Sequence, residues 1–364
     1  MNEFLKLEEK LNGFLNMGVP FYDIKIMKDG KCVYRNMDGY KDENNKIKPN
    51  GKELYNIYSC SKLITCTAAL QLCEKGKFKP DDELYKYLPE FENMSVLTKD
   101  GVRPAKNKIT IRQLFAMTAG LSYNLNSPKI ELCKKETEGK CPTRVAMKYI
   151  AKEPLLFEPG YRWEYSLCHD VLAALVETVT GEKFGKYVKE NIFDVANMKN
   201  SFFSFPENER FKLCNQYKYN KNTGRMDRTG KANSYILGSE YECGGAGCVS
   251  TVDDYVLFLE ALRTNQLLKS ETVDMISTNQ LTKEQMNMPT YSIAGKRGYG
   301  LGQECPAENE NRRDFGWGSA AGAHYFIDRR LNITACLMTH VLDFDDYMAV
   351  KGEIVPIIQK IFKK

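Results

Sequence analysis

Apolar residues recur at helical spacing at the start of the chain, where Phe4, Leu7, Leu11, Phe14 and Leu15 form one stripe, so an amphipathic helix is predicted there. Between 22 and 40 the pattern changes to alternation around Lys28-Asp29-Gly30, which predicts an antiparallel hairpin. Helical periodicity returns from Ser59 to Lys75 and closes at Gly76, a residue suited to the left-handed position after a helix. Residues 80 to 160 hold short helical patterns broken by Pro and Gly, including Thr110 to Phe115. A second long helical pattern runs from Cys168 to Val179 and stops at Gly181. A third covers 253 to 263 and is entered through Ser250-Thr251-Val252-Asp253, a capped start. Residues 321 to 340 read as two strands joined by a polar turn, followed by a final helix over 346 to 363. Strands at both ends thus flank a helical middle. The pattern predicts an α+β fold: an antiparallel sheet flanked by helices, with an inserted all-helical region. The expected division is a single domain over 1–364, with its sheet part from about 1–58 and 240–364 and its helical part at about 59–239.

Composition narrows the classes of function. The 364 residues are 43% hydrophobic and 27% charged, ordinary for a globular protein with a sizeable core. The net charge of +5 is small and spread along the chain, with only short basic runs such as Lys134-Lys135 and Lys363-Lys364. That distribution argues against a nucleic-acid partner. No stretch approaches the roughly 20 apolar residues of a membrane span. The opening MNEFLKLEEK has acidic residues where a secretory signal carries positive charge. The 12 cysteines are scattered, without a CxxC pair. A cytoplasmic, reducing location is therefore expected.

Candidate chemistry begins at Ser59-Cys60-Ser61-Lys62, the one S-x-x-K match in the chain. A serine hydroxyl is a weak nucleophile unless a base takes its proton. Ser59 at a helix start and Lys62 three residues later share one face, so a buried Lys62 can serve as that base. Tyr165-Ser166 follows Glu158-Pro159-Gly160 and precedes a long helix. A tyrosine delivered from that loop can share the proton and later return it to the leaving group. The run Gly316 to Gly322 leads into a strand, and its small residues allow a carbonyl to approach the backbone. An N–H there would complete an oxyanion hole with that of Ser59. Other constellations are poorer. There is no G-x-S-x-G elbow, and His169, His324 and His340 show neither HExxH nor metal spacing. A Ser-His-Asp triad stays open, because its members need not be close in sequence. Gly244-Gly245-Ala246-Gly247 lacks the Lys-Ser/Thr ending of a phosphate loop. No metal or cofactor is called for.

Together these elements resemble the serine β-lactamase-related superfamily, which includes class C β-lactamases, D-alanyl-D-alanine carboxypeptidases and family VIII carboxylesterases. The resemblance extends from about residue 20 to 345. It also includes Ile109-Thr110-Ile111-Arg112-Gln113-Leu114, Met117-Thr118-Ala119-Gly120-Leu121 and Gly244 to Thr251 before a helix. It implies a β-lactamase/transpeptidase-like fold, an acyl-enzyme on Ser59, and proton transfer by Lys62 and Tyr165. The N–H groups of Ser59 and Ala320 would hold the oxyanion, with Trp317, Gly318 and Ser319 beside the substrate. Two positions depart from the family pattern. Leu167 stands where Tyr-x-Asn has Asn, and Trp317-Gly318-Ser319 stands where Lys-Thr-Gly or His-x-Gly is usual. The lysine of that motif grips the carboxylate of a β-lactam or D-Ala terminus, whereas tryptophan gives an aromatic wall. The expected substrate is accordingly a small-molecule carboxylic ester, with hydrolysis or acyl transfer as the reaction. A β-lactamase or D-Ala peptidase acting on an amide, and a non-catalytic small-molecule-binding descendant, remain the alternatives. Specificity is expected in 122–144 and 280–300, with Tyr123 and Tyr291 as cleft contacts. His169 is expected to be structural, and Cys60 is a candidate for thiol sensitivity. The sequence leaves the oligomeric state open.

Overall fold

The N-terminal apolar stripe becomes helix α1 (Leu5–Asn16), which buries Leu7, Leu11 and Phe14. The structure is a computed structural model that describes residues 3–42, 44–293, 297–307 and 314–363. The predicted hairpin forms strands β1 (Phe21–Lys28) and β2 (Lys31–Gly39). The apolar run after Ser59 becomes α2 (Ser61–Glu74), whose polar residues Lys62, Thr65 and Thr67 are buried along with its apolar ones. Further along lie α3 (Cys168–Thr180) and α4 (Val252–Arg263), the latter capped by Thr251, whose hydroxyl accepts from the Asp254 N–H. Strands β3 (Gly298–Tyr299), β4 (Glu304–Cys305), β5 (Asp314–Gly318), β6 (His324–Asp328) and β7 (Ile333–Met338) follow. Two helices close the chain, α5 (Asp345–Val350) and α6 (Ile354–Phe362).

Among the described residues, seven strands make one antiparallel sheet in the order β2-β1-β7-β6-β5-β4-β3, so parts from both ends of the chain pair along β1 and β7. Parity within the sheet assigns the layers. Lys25 and Arg35 lie opposite each other on one face, and both reach toward Asp253 of α4. Ile26 and Tyr34 lie opposite each other on the other face, where Tyr34 stacks on Phe4 beside α1, at 4.6 Å between ring centroids. Helices therefore cover both faces of the sheet. One buried cluster joins this sandwich to the helical part, in which α2 packs against α3.

The middle of the chain is less purely helical than its pattern predicts. Ser95–Thr98 and Gly101–Pro104 form a hairpin inside the 80–160 stretch. Gln216–Asn220 and Arg225–Thr229 form another, which docks in parallel register on Val341–Leu342. The final helix predicted over 346–363 is interrupted by a tight turn at Lys351–Glu353. Pro356 accounts for the break, since it has no N–H and its ring would meet the carbonyl of Gly352.

Candidate active site

Tyr55–Asn56 pairs with Val249–Ser250 and feeds the tight turn Tyr58–Cys60 that leads into α2. Tyr58 adopts φ +46°, a left-handed conformation that disfavours a bulky residue. Burial and a hydrogen bond from its hydroxyl to Gln216 Oε1 at 2.6 Å hold it there. This kink places Ser59 on the floor of a cleft, 8% exposed, with α2 behind it. One turn on, fully buried Lys62 points back, with Nζ 3.4 Å from Ser59 Oγ. From the loop before α3 the Tyr165 hydroxyl donates to the same oxygen at 2.7 Å. Lys62 Nζ lies 4.6 Å from the Tyr165 ring centroid and 5.7 Å from that of Tyr123. The three side chains singled out from the sequence thus meet at the Ser59 hydroxyl oxygen.

A glycine-rich loop aims the lysine. Lys62 Nζ donates to the Gly245 carbonyl at 2.6 Å, and Thr65 Oγ1 donates to the Gly244 carbonyl at 2.7 Å. The Cys248 N–H donates to Ser61 Oγ at 3.0 Å, fixing the loop to α2 a third time. A Cβ on Gly245 would fall 2.6 Å from Asp170 Oδ2 and 3.4 Å from Lys62 Nζ. Burial pushes the Asp170 carboxyl up from its ordinary range, and Tyr241 donates to its other oxygen at 3.0 Å. Gly245→Ala is therefore expected to shift the Lys62 anchor, lowering kcat about 10- to 100-fold and destabilising the fold by about 1–3 kcal/mol. Turnover of p-nitrophenyl butyrate and a denaturant melt measure the two effects, and unchanged kcat would show that the loop does not aim Lys62.

The cleft holds about 800 Å³ and is walled by aromatic rings from several elements. Trp317, near the end of β5, stacks on Tyr165 at 5.8 Å and 17°, while Tyr123, Trp163 and Tyr235 line other parts of it. Gly318, Ser319 and Ala320 border the cleft beside Ser59. Ser319 also closes the turn after β5, because its hydroxyl accepts from the Ala323 N–H at 3.1 Å. Three further lining residues carried no recognisable motif. Tyr235 arrives from a loop, and Lys351 from the break between α5 and α6. Arg297 is held by Glu304 at 2.7 Å and Asp314 at 3.1 Å.

Several expectations change. Cys60 is fully buried, and burial pushes its thiol up to about 12, so it is not poised for thiol reagents. Tyr291 packs edge-on against Trp163 and donates to the Arg297 carbonyl, backing the cleft wall instead of lining it. Residues 122–144 contribute Tyr123 to the cleft, whereas Pro128–Glu136 forms a helix whose start is capped by Ser127. In 280–300, Ser292, Ile293 and Arg297 line the cleft, and 294–296 lie outside the described residues. His169 is structural: burial lowers its pKa to about 3, and its Nε2 lies 3.4 Å from the Phe115 carbonyl. His340 is likewise buried, lowered to about 4, against the Asn215 carbonyl and Cys214. His324 borders the cleft at the start of β6, and Ser59 has Lys62 and Tyr165 as its partners.

The Beta-lactamase family model matches residues 18–355. The chain belongs to the Beta-lactamase family. Within reach of this Beta-lactamase family chain, Esterase EstB of Burkholderia gladioli is 26% identical over 347 residues, covering 86% of this chain and 84% of the esterase. Acyltransferase mokF of Monascus pilosus is 28% identical over 288 residues, covering 72% and 69%. The solved structure of EstCE1, described as a hydrolase with promiscuous acyltransferase activity, superposes with a TM-score of 0.78 at 22% identity, covering 99% of this chain and 98% of that one. The fold is therefore β-lactamase/transpeptidase-like, as the motifs implied. Among the described residues, no helix is long and apolar enough to cross a membrane.

Proposed function

We propose that this chain is a serine acyl hydrolase or acyltransferase that forms an acyl-enzyme on Ser59, with a carboxylic ester as substrate. The observation that carries this reading is Ser59 Oγ lying 2.7 Å from the Tyr165 hydroxyl and 3.4 Å from Lys62 Nζ on the cleft floor. In the forward step the Lys62–Tyr165 pair takes the Ser59 proton as Oγ bonds to the ester carbonyl carbon. The carbonyl π electrons move to oxygen, where the N–H groups of Ser59 and Ala320 stabilise the charge. Collapse breaks the bond to the alkoxy oxygen, which leaves as alcohol after receiving a proton from Tyr165. Water, or an acceptor alcohol, then passes its proton to the same pair as its oxygen bonds to the acyl carbon. The bond from that carbon to Ser59 Oγ breaks, releasing acid or a new ester while Oγ regains a proton.

An ester is favoured over a β-lactam by Trp317. At the motif position where the family usually carries a lysine to grip a carboxylate, this chain has an indole stacked on the proposed proton carrier. The related proteins named esterase and acyltransferase support the same choice. A cytoplasmic location is part of the proposal and is supported by twelve free thiols.

The test is to treat the protein with p-nitrophenyl butyrate, nitrocefin and a p-nitrophenyl alkylphosphonate, then map the phosphonate by mass spectrometry. Ester turnover, weak nitrocefin turnover and one phosphonate on Ser59 are expected. Preferred turnover of nitrocefin would replace the ester reading with the β-lactamase one. Neither turnover nor labelling would leave a non-catalytic binder of small molecules.

A further inference from the structure

The break between α5 and α6 has a consequence for the cleft. The Lys351–Glu353 turn lays the Lys351 side chain along the end of β5, where its ammonium donates to the Ser319 carbonyl at 2.8 Å and to Met348 sulfur at 3.1 Å. The residue is 8% exposed, and among the described residues no carboxylate forms an ion pair with it. Burial lowers its pKa to about 8. Burial disfavours an ammonium there, and its principal acceptor is a backbone carbonyl. The strand is shaped to admit it: a Cβ on Gly318 would lie 2.9 Å from Lys351 Cε and 3.0 Å from Nζ.

The Ser319 carbonyl and the Ala320 N–H belong to one amide. No peptide bond in the described chain is cis, and in a trans amide the two groups point in opposite directions. The same carbonyl also accepts from the Gly322 N–H at 3.1 Å, inside the turn. Lys351 holds it from a separate element, across the strand end.

We propose that Lys351 is a positioning residue for the oxyanion-binding amide: by gripping the Ser319 carbonyl it aims and polarises the Ala320 N–H at the other side of that amide. The inference rests on the reading of Ser59 as nucleophile and Ala320 as oxyanion donor. A cation on the carbonyl draws electron density from the amide and makes its N–H a better donor as negative charge develops. The benefit is larger in the transition state than in the ground state, so it appears in kcat.

The experiment compares wild type, Lys351→Met, Gly318→Ala and the double variant. Gly318→Ala displaces the ammonium without deleting it. Each protein is assayed with neutral p-nitrophenyl butyrate and with an anionic p-nitrophenyl hemisuccinate, for affinity to an alkylboronic acid, and for phosphonate labelling of Ser59. Lys351→Met is expected to lower kcat for both esters about 10- to 100-fold and to weaken boronate binding in parallel, with KM within about threefold. Gly318→Ala should do the same, and the double variant should lose little more than either single one. A kcat within twofold of wild type in a folded Lys351→Met protein would overturn the proposal. So would a raised KM confined to the hemisuccinate, which would make Lys351 a substrate contact. If Lys351→Met does not fold, normal kcat in Gly318→Ala overturns the proposal instead. Failure to label Ser59 in the wild type would strike the underlying nucleophile reading, a different result from any of these.

Discussion

Ser59→Ala is expected to lower p-nitrophenyl butyrate turnover by about 10⁴-fold or more, because it removes the atom that forms the acyl bond. Its neighbours would remain where they are. Lys62 keeps its 2.6 Å bond to the Gly245 carbonyl, and Tyr165 keeps its stacking on Trp317. The Tyr165 hydroxyl loses its 2.7 Å acceptor, but the residue is only part-buried and water can take that place. Stability should accordingly stay within about 1 kcal/mol of wild type. Steady-state kinetics, phosphonate labelling and a denaturant melt check the three statements together. Residual turnover well above the uncatalysed rate is compatible with the mechanism, since cleft binding and the oxyanion donors survive. Full activity in the variant would remove Ser59 as nucleophile, and the search would move to another hydroxyl near Tyr165.

What the sequence disclosed and what it hid follow from whether a residue's role depends on its neighbours along the chain. Ser59 and Lys62 lie one helical turn apart, so the spacing that brings their side chains together is visible in four letters. Tyr165 lies just ahead of α3, and Gly316 to Gly322 at a strand end, positions marked by Gly and Pro. Lys351 has no such mark. It reaches the cleft because Pro356 breaks the last helix and Gly318 leaves space across the sheet, a coincidence of two distant positions. Arg297 and Tyr235 arrive through tertiary packing in the same way.

The fold follows the same division. Strands β6 and β7 are apolar and nearly continuous because both faces of the sheet are covered. The hairpin at 95–104 is mostly exposed, so it has little alternation to read. Its anchor is Val96, which is buried and bridges to Leu155. The helix at Pro128–Glu136, capped by Ser127, buries just Ile130 and Cys133, an apolar stripe too narrow to register as a period. The left-handed Tyr58 is hidden for a different reason, because no glycine announces it and tertiary contacts alone hold it.

Lys62→Met and Lys62→Arg separate two roles that the geometry allows for the lysine. As a base, Lys62 must be able to accept the Ser59 proton. As a fixed cation, it would only stabilise negative charge on Ser59 Oγ or Tyr165, whose ring centroid lies 4.6 Å away. Methionine has similar length and neither property, so Lys62→Met is expected to lower acylation about 10³-fold or more under either role. Arginine keeps the charge and cannot give it up at any accessible pH. Under the base role Lys62→Arg should be as slow as Lys62→Met in pre-steady-state acylation by p-nitrophenyl butyrate. Activity above about a tenth of wild type in the arginine variant would instead assign the proton to Tyr165 and leave the lysine as its counter-charge. Lys62→Met removes the 2.6 Å donor to the Gly245 carbonyl, which would cost about 1–3 kcal/mol if left unpaired in the interior, and Lys62→Arg replaces that donor with a bulkier one. A melt with each variant therefore accompanies the kinetics. A variant that is destabilised by that amount but still binds alkylboronic acid at Ser59 retains its cleft, and its lost rate then reports on the proton and not on a collapsed site.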